Sequence, residues 1–244
     1  VRGARFGVRG DLRWRRFEHD DVRSRFGPLI SQSYRDRDVT EPQVRVDYRA
    51  SPSVAVYGTV QANQRRHDRI GPGGVNRDSQ GWEVGVGADF DLTRLARGQV
   101  QVGYLTQDYE DPSAGETSGL AVRSRVEWYP TQLTTVTVEV ERAVADSGVE
   151  NAAGLLTTRA GVRVDHELRR NVVLWGRAQR ARDEYRGADR EDDRNELGLG
   201  ADLKVNRNVA VRVGVERFDR SSSGAAPGFD FTENRAGLAL VLQL

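Results

Sequence analysis

A two-residue alternation of apolar and polar side chains is the feature that most constrains the fold of this chain. From Trp82 to Leu92 every second residue is apolar, and the positions between carry glycine or a carboxylate. Successive side chains of a β-strand point to opposite faces, so this period gives a strand one apolar and one polar face. The alternation recurs about twelve times along the chain, and no segment has the period of an amphipathic helix. The sequence therefore predicts an all-β protein.

Short and long links take turns between the predicted strands. Five links are short, at residues 50–53, 93–98, 130–132, 168–171 and 205–208. Six are long and polar, at residues 18–38, 65–78, 110–117, 147–155, 187–193 and 221–231. This order predicts an antiparallel up-and-down barrel of about 12 strands with two unlike ends, whose even strand number allows closure.

Composition narrows the class of protein further. The mean hydropathy is −0.63, and 37 basic residues balance 36 acidic ones, so no basic excess favours a nucleic-acid partner. The absence of cysteine excludes disulfides, zinc–cysteine sites and thiol nucleophiles. No run approaches the roughly 18 apolar residues of a membrane helix. Position 1 is not methionine, which predicts a processing or truncation point before it.

Two kinds of barrel could produce this alternation. In a soluble sandwich or lipocalin-type barrel the apolar face points into a core, whereas in an outer-membrane barrel it points to lipid. The second is favoured because the apolar face is rich in valine and leucine, and because charges lie in the middle of the strands. Aromatic residues near the strand ends are candidate interfacial girdles, namely Tyr48, Phe90, Trp128 and Tyr129 at short links and Trp82, Tyr104, Tyr109, Tyr185 and Phe218 at long ones.

The polar face is the candidate functional surface. In a membrane barrel it lines the lumen, where charges of both signs can pair and stiffen the wall, and unpaired groups can tune which solutes pass. The predicted pore-lining residues are Arg9, Arg45, Asp47, Glu83, Asp89, Arg123, Arg125, Glu127, Glu139, Arg163, Asp165, Asp202, Arg212 and Glu216.

Other chemical signatures are weak. His19 and His67 fall in long links near acids, where solvated side chains are the expected state and an acid–base pair is the alternative. His166 is expected at a membrane interface. The acidic segments 108–112 and 191–194 could hold calcium, although solvated acids are the commoner arrangement. No GxSxG motif, metal-spaced histidine cluster or phosphate-binding glycine loop is present, so no cofactor and no catalytic residue is expected.

Two segments carry a resemblance to a known family. GADFDLTRLARGQVQVGYLTQDYEDP at 87–112 and ENRAGLALVLQL at 233–244 resemble the strands and turns of the Putative beta-barrel porin 2 family. The resemblance implies a Gram-negative outer-membrane barrel, often associated with exopolysaccharide export, and brings no catalytic residues with it. Members tend to be longer at the N-terminus, which implies either a closed twelve-stranded barrel or the C-terminal portion of about sixteen to eighteen strands.

The resulting interpretation treats residues 1–244 as a single outer-membrane β-barrel domain, with short links periplasmic and long links external. We expect a porin-like channel for hydrophilic solutes, in contact with outer-membrane lipid and lipopolysaccharide and, by the resemblance, with periplasmic polysaccharide-export proteins. The alternative is a non-conducting structural or adhesive barrel that acts through its external loops. An enzyme is not expected.

Overall fold

The computed structural model describes residues 5–23, 27, 29–71, 74–92, 95–149 and 152–242. The predicted links at 18–38, 65–78, 93–98 and 147–155 and the family-like segment at 233–244 each include residues outside these ranges. Within them, no helix is long and apolar enough to cross a bilayer. The described residues include a short helical segment, a 3-10 turn at Ser33–Arg35.

Twelve antiparallel strands form one sheet, and a two-stranded ribbon lies in the first long link. The sheet strands are β1 (Phe6–Phe17), β4 (Arg37–Ser51), β5 (Val54–His67), β6 (Ser79–Asp91), β7 (Ala96–Tyr109), β8 (Glu116–Thr131), β9 (Thr134–Ala145), β10 (Gly154–Arg169), β11 (Val172–Arg186), β12 (Glu191–Lys204), β13 (Val209–Ser223) and β14 (Phe231–Leu242). The ribbon consists of β2 (Val22–Arg23) and β3 (Leu29–Ile30).

The topology confirms the predicted up-and-down order. Each sheet strand pairs with its neighbours along the chain, except that β1 pairs with β4 across the ribbon. Short and long links alternate as expected. In the described part of the chain the sheet is open, because β1 and β14 form its two edges and do not pair with each other. The predicted closure is therefore not observed.

The sheet curls around its polar face. Arg65 on β5 donates a hydrogen bond of 3.3 Å to the carbonyl oxygen of Val144 at the end of β9. These strands are four positions apart, which in a flat sheet would separate them by roughly 19 Å. The face that carries Arg45, Glu83 and Arg123 is thus the concave one, here called the inner face.

The opposite, outer face is apolar and open to its surroundings. Val86 is 62% exposed and Leu199 is 65% exposed, and most of the large exposed apolar side chains belong to this face. A continuous band of exposed valine and leucine is the surface that lipid covers in a membrane barrel. The alternative of a soluble barrel with these side chains in its core is therefore wrong.

Several strands extend into the predicted long links. The predicted link 18–38 includes the start of β4 at Arg37, and the predicted link 65–78 includes the end of β5 at His67. Here the apolar side chains change face: Val39, Leu105 and Leu155 point inward and are buried. Because the phase of the pattern reverses, the sequence alone suggested link rather than strand.

Candidate functional site

The inner face carries all fourteen predicted pore-lining residues. The strand registers place each of them on the concave side, and most take part in ion pairs. Arg125 pairs with Glu139 on the next strand and lies 3.7 Å from Glu127. Arg9, on the edge strand β1, has no ion pair with any described residue. That these groups line a water-filled passage stays a prediction.

One cluster on this face is built around Tyr57. The guanidinium of Arg45 lies over the Tyr57 ring, 3.5 Å from its centroid. Arg45 donates to Asp47 at 2.8 Å and also pairs with Asp89, so two carboxylates hold the cation in place. The ring also lies against Gly87, where an added Cβ would overlap the phenol. Tyr57 is consequently only 4% exposed.

A second cluster of the same design surrounds Trp175. Arg163 lies over the Trp175 ring at 5.1 Å and forms a two-pronged pair with Asp165, at 2.7 and 2.8 Å. The indole rests on Gly200 and Gly214, where an added Cβ would overlap it. Trp175 remains half-buried, in contrast to the buried Tyr57.

These clusters reflect an internal sequence repeat that the strand pattern alone did not reveal. Residues 44–58 and 162–176 both read VRVD, nine further residues, an aromatic residue and glycine. Residues 83–89 and 196–202 read EVGVGAD and ELGLGAD. Strands β4–β8, here called the first wall, therefore correspond to β10–β14, the second wall. A search for self-similarity three hairpins apart would have found Tyr57 and Trp175.

The two walls differ beside their aromatic rings. In the first wall Gln101 fills this place and donates to Glu83 at 3.0 Å, and Arg123 forms a two-pronged pair with the same Glu83 at 2.9 Å. The corresponding positions of the second wall are Gly214 and Gly237. An added Cβ at Gly237 would meet nothing within 4 Å.

A hollow of about 610 Å³ results in the second wall. We call it the Trp175 hollow, and its lining includes Trp175, Arg177, Arg212, Gly214, Glu216 and Gly237. Arg177 pairs with Glu196 and donates to Glu216 at 2.8 Å. Arg212 lies 3.3 Å from Asp202. The hollow is therefore lined by paired guanidinium and carboxylate groups, by the Trp175 ring and by two glycines.

The long-link end of the first wall is packed rather than open. The segment 146–149, which follows β9, crosses the inner face and meets β4, β5 and the link after β5. Arg77 donates to the carbonyl oxygens of Ser147, at 2.9 Å, and Val149, at 2.6 Å. Both Arg77 and Ser147 are fully buried. This end of the inner face thus has a buried core of its own.

Asp146 anchors the segment. Its carboxylate lies 3.1 Å from Arg37 and 3.7 Å from the Nε2 atom of His67. Burial alone would raise the pKa of Asp146, but the His67 contact and the positive charges of Arg37 and Arg77 outweigh burial and lower that pKa. Asp146 is therefore held as a carboxylate.

His67 corrects the expectation of a solvated link residue. It is the last residue of β5, and its ring is 2% exposed between Asp78 and Asp146. His19 does lie in a link and contacts Asp36, whereas His166 lies on β10 and contacts Thr134. Within the described ranges, no group of three or more His, Asp or Glu side chains is arranged to hold a metal ion.

The predicted aromatic girdles are only partly correct. Trp82, Tyr104 and Trp128 lie on the outer face and are about half exposed, as expected of interfacial residues. The inner face instead holds Tyr109, Tyr129, Tyr185 and Phe218. Tyr129 and Tyr185 donate hydrogen bonds to the carboxylates of Glu127 and Asp192. Their positions are therefore set by packing and hydrogen bonding on the inner face, and not by a membrane interface.

Comparison with solved structures identifies a distant relative in fold. The FrpB iron transporter from Neisseria meningitidis (F3-3 variant) matches with a TM-score of 0.53 and 9% sequence identity. The match covers 78% of this chain and 37% of that one, so this chain spans just over a third of the transporter's length. At this identity the likeness concerns the fold alone. No curated protein matches the sequence.

The family comparison covers almost every residue. The family model described as Putative beta-barrel porin 2 matches residues 2–244, which include both walls and all fourteen predicted inner-face residues. The open twelve-stranded sheet, its exposed apolar outer face and its ion-paired inner face agree with that match. The chain belongs to the Putative beta-barrel porin 2 family.

Proposed function

We propose that the sheet forms the wall of a passage for hydrophilic solutes across the outer membrane. The observation that carries this proposal is the contrast between the two faces. Arg125, Glu139 and Arg212 on the inner face remain half exposed even though they take part in ion pairs, whereas the outer face offers valine and leucine. In a barrel with a hydrated lumen, the charged side chains are exposed to water on the inner face and the apolar side chains cover the outer face.

Export of a polysaccharide is the narrower version of this proposal. Its support is the association of the family with exopolysaccharide export. In this version periplasmic export proteins deliver the polymer, and outer-membrane lipid and lipopolysaccharide surround the outer face. No catalytic step is required, because the inner-face ion pairs would only contact the solute.

A non-conducting barrel is the second candidate, and one observation favours it. Segment 146–149 fills the long-link end of the first wall, where Arg77 and Ser147 are fully buried. If this packing spans the whole mouth, the barrel acts through its external links as a structural or adhesive protein.

The absence of cysteine from the chain allows a sharp test. Glu139 and Val138 are adjacent on β9, and Glu139 faces inward while Val138 faces outward. Glu139→Cys and Val138→Cys would each be refolded, inserted into planar bilayers and treated with a negatively charged, water-soluble methanethiosulfonate reagent.

If the sheet lines a passage, we expect single-channel currents that fall when the cysteine of Glu139→Cys is modified. The currents of Val138→Cys should not change, because lipid shields the outer face. Correctly folded protein that stays electrically silent in repeated bilayers would instead favour the non-conducting barrel. Equal modification of both cysteines would contradict the assignment of the two faces.

A further inference from the structure

We propose that the Trp175 hollow is a binding subsite for one pyranose ring of a neutral saccharide. This inference deepens the proposed passage, since it rests on solutes reaching the inner face and names their chemical class. It comes from the difference between the two walls: the same Arg–Asp–aromatic–Gly pattern is closed around Tyr57 and open around Trp175.

The size of the hollow is the first argument. Gly214 and Gly237 stand where the first wall has Gln101 and Arg123, and a hollow of about 610 Å³ lies beside the indole, bordered by the edge strand β14. This volume lies in the usual range of small-molecule sites. The first wall cannot offer such a site, because Gln101 is 7% exposed and occupies the corresponding place.

The indole is the second argument. Glycines support one side of Trp175, and Arg163 is displaced to 5.1 Å from the ring centroid, compared with 3.5 Å for Arg45 over Tyr57. Trp175 thus keeps part of its inward surface uncovered. The C–H face of a sugar ring is flat and apolar enough to pack on such a surface.

The balance of charge is the third argument. Arg163, Arg177 and Arg212 each have a carboxylate partner, and Arg235 pairs with Glu233 at 2.7 Å. A strongly charged solute would gain little from a balanced set of charges. Hydroxyl groups fit it better, because each can accept from a guanidinium and donate to a carboxylate.

Tryptophan fluorescence can test the proposal without any current measurement. Trp14, Trp82 and Trp128 lie on the outer face, so changing these three to phenylalanine leaves Trp175 as the reporter. The refolded protein in detergent would be titrated with maltohexaose, laminarihexaose and tri-galacturonic acid. We expect saturable changes in Trp175 emission with the neutral oligosaccharides.

Gly237→Arg provides the matched control. It restores the side chain that the first wall has at Arg123 and fills the hollow, and the space around Gly237 makes it compatible with folding. We expect it to abolish the emission change. By calorimetry in the otherwise unchanged protein, Trp175→Ala should weaken binding about tenfold, whereas Trp175→Phe should keep most of the affinity.

The outcomes separate this inference from the proposed passage. Channels that conduct but show no saturable response to either neutral oligosaccharide would overturn the subsite and leave the passage standing. Saccharide binding by a protein that never conducts would support the subsite and count against the passage. Binding that persists in Gly237→Arg, or that favours tri-galacturonic acid, would overturn the assignment.

Discussion

The first and second walls share a sequence pattern but differ in how much of it reaches water. In the first wall Arg45 covers Tyr57, Gln101 and Arg123 fill the neighbouring space, and segment 146–149 covers the long-link end. In the second wall Trp175 borders a hollow. The same Arg–Asp–aromatic cluster is therefore buried in one wall and accessible in the other. The side chains on the next two strands decide which of the two occurs.

The largest expected effect on stability comes from substitutions on the apolar outer face, which both walls share. Val86 and Leu199 occupy equivalent positions near the middle of β6 and β12 and are exposed alike. Val86→Arg and Leu199→Arg should each destabilise the protein by about 2–4 kcal/mol in a bilayer, because lipid cannot solvate the charge. Unfolding by denaturant in lipid vesicles would measure this, with the inward substitution Gln61→Arg, opposite Glu83, as control. A small loss for one wall alone would show that lipid does not cover both.

The glycines beneath the rings should be equally intolerant in both walls. An added Cβ at Gly87 or Gly200 would overlap the ring and a backbone carbonyl of the next strand, so Gly87→Ala and Gly200→Ala should each cost about 1–3 kcal/mol. Gly237→Ala, which meets open space, should change the free energy of unfolding by less than about 0.5 kcal/mol. Thermal or urea unfolding in detergent would measure all three. If Gly200→Ala were harmless, Trp175 would not rest on the sheet as described.

The arginines above the rings should behave differently. Arg45→Met removes a cation, only 15% exposed, that two aspartates hold over Tyr57, and we expect a loss of about 1–2 kcal/mol. Arg163→Met should cost less than about 1 kcal/mol, because Arg163 is 43% exposed and displaced from its ring. The same unfolding assay applies. Equal losses would mean that the second cluster is as closed as the first.

The smallest effect concerns segment 146–149, which covers only the first wall. The pKa of Asp146 is lowered in the folded protein, so its ion pairs stabilise the segment above the ordinary carboxyl pKa of about 3.9 and are lost as the pH falls through the lowered value. Arg37, Arg77, His67 and Asp78 are the charged or titratable groups around it.

Limited pepsin digestion with mass spectrometry, between about pH 2 and 4.5, would follow this loss. Cleavage near Val144 and Val149 should increase toward the lower pH, with no comparable change around Trp175. Asp146→Asn should make the segment sensitive throughout this range. Cleavage of the unsubstituted protein that did not depend on pH would contradict the role of Asp146.

Much of the fold could be predicted from the sequence, because successive side chains of a β-strand point to opposite faces of the sheet. The alternation of Val84, Val86 and Ala88 with Glu83, Gly85 and Gly87 identified the strand, its two faces and the inner-face residues, without knowledge of any neighbour. The strand count and the order of short and long links followed in the same way. Near the long links this reasoning failed, because Val39 and Leu105 pack inward and reverse the pattern.

The sequence by itself determined which side chains share a face, since that depends only on the two-residue period of an extended backbone. The tertiary structure alone decided which of them meet. Arg45 reaches Asp89 two strands away, segment 146–149 crosses the curled sheet to Arg77, and two glycines on β13 and β14 leave the space beside Trp175. Strand pairing and curvature set these contacts, and neither depends on the local order of residues.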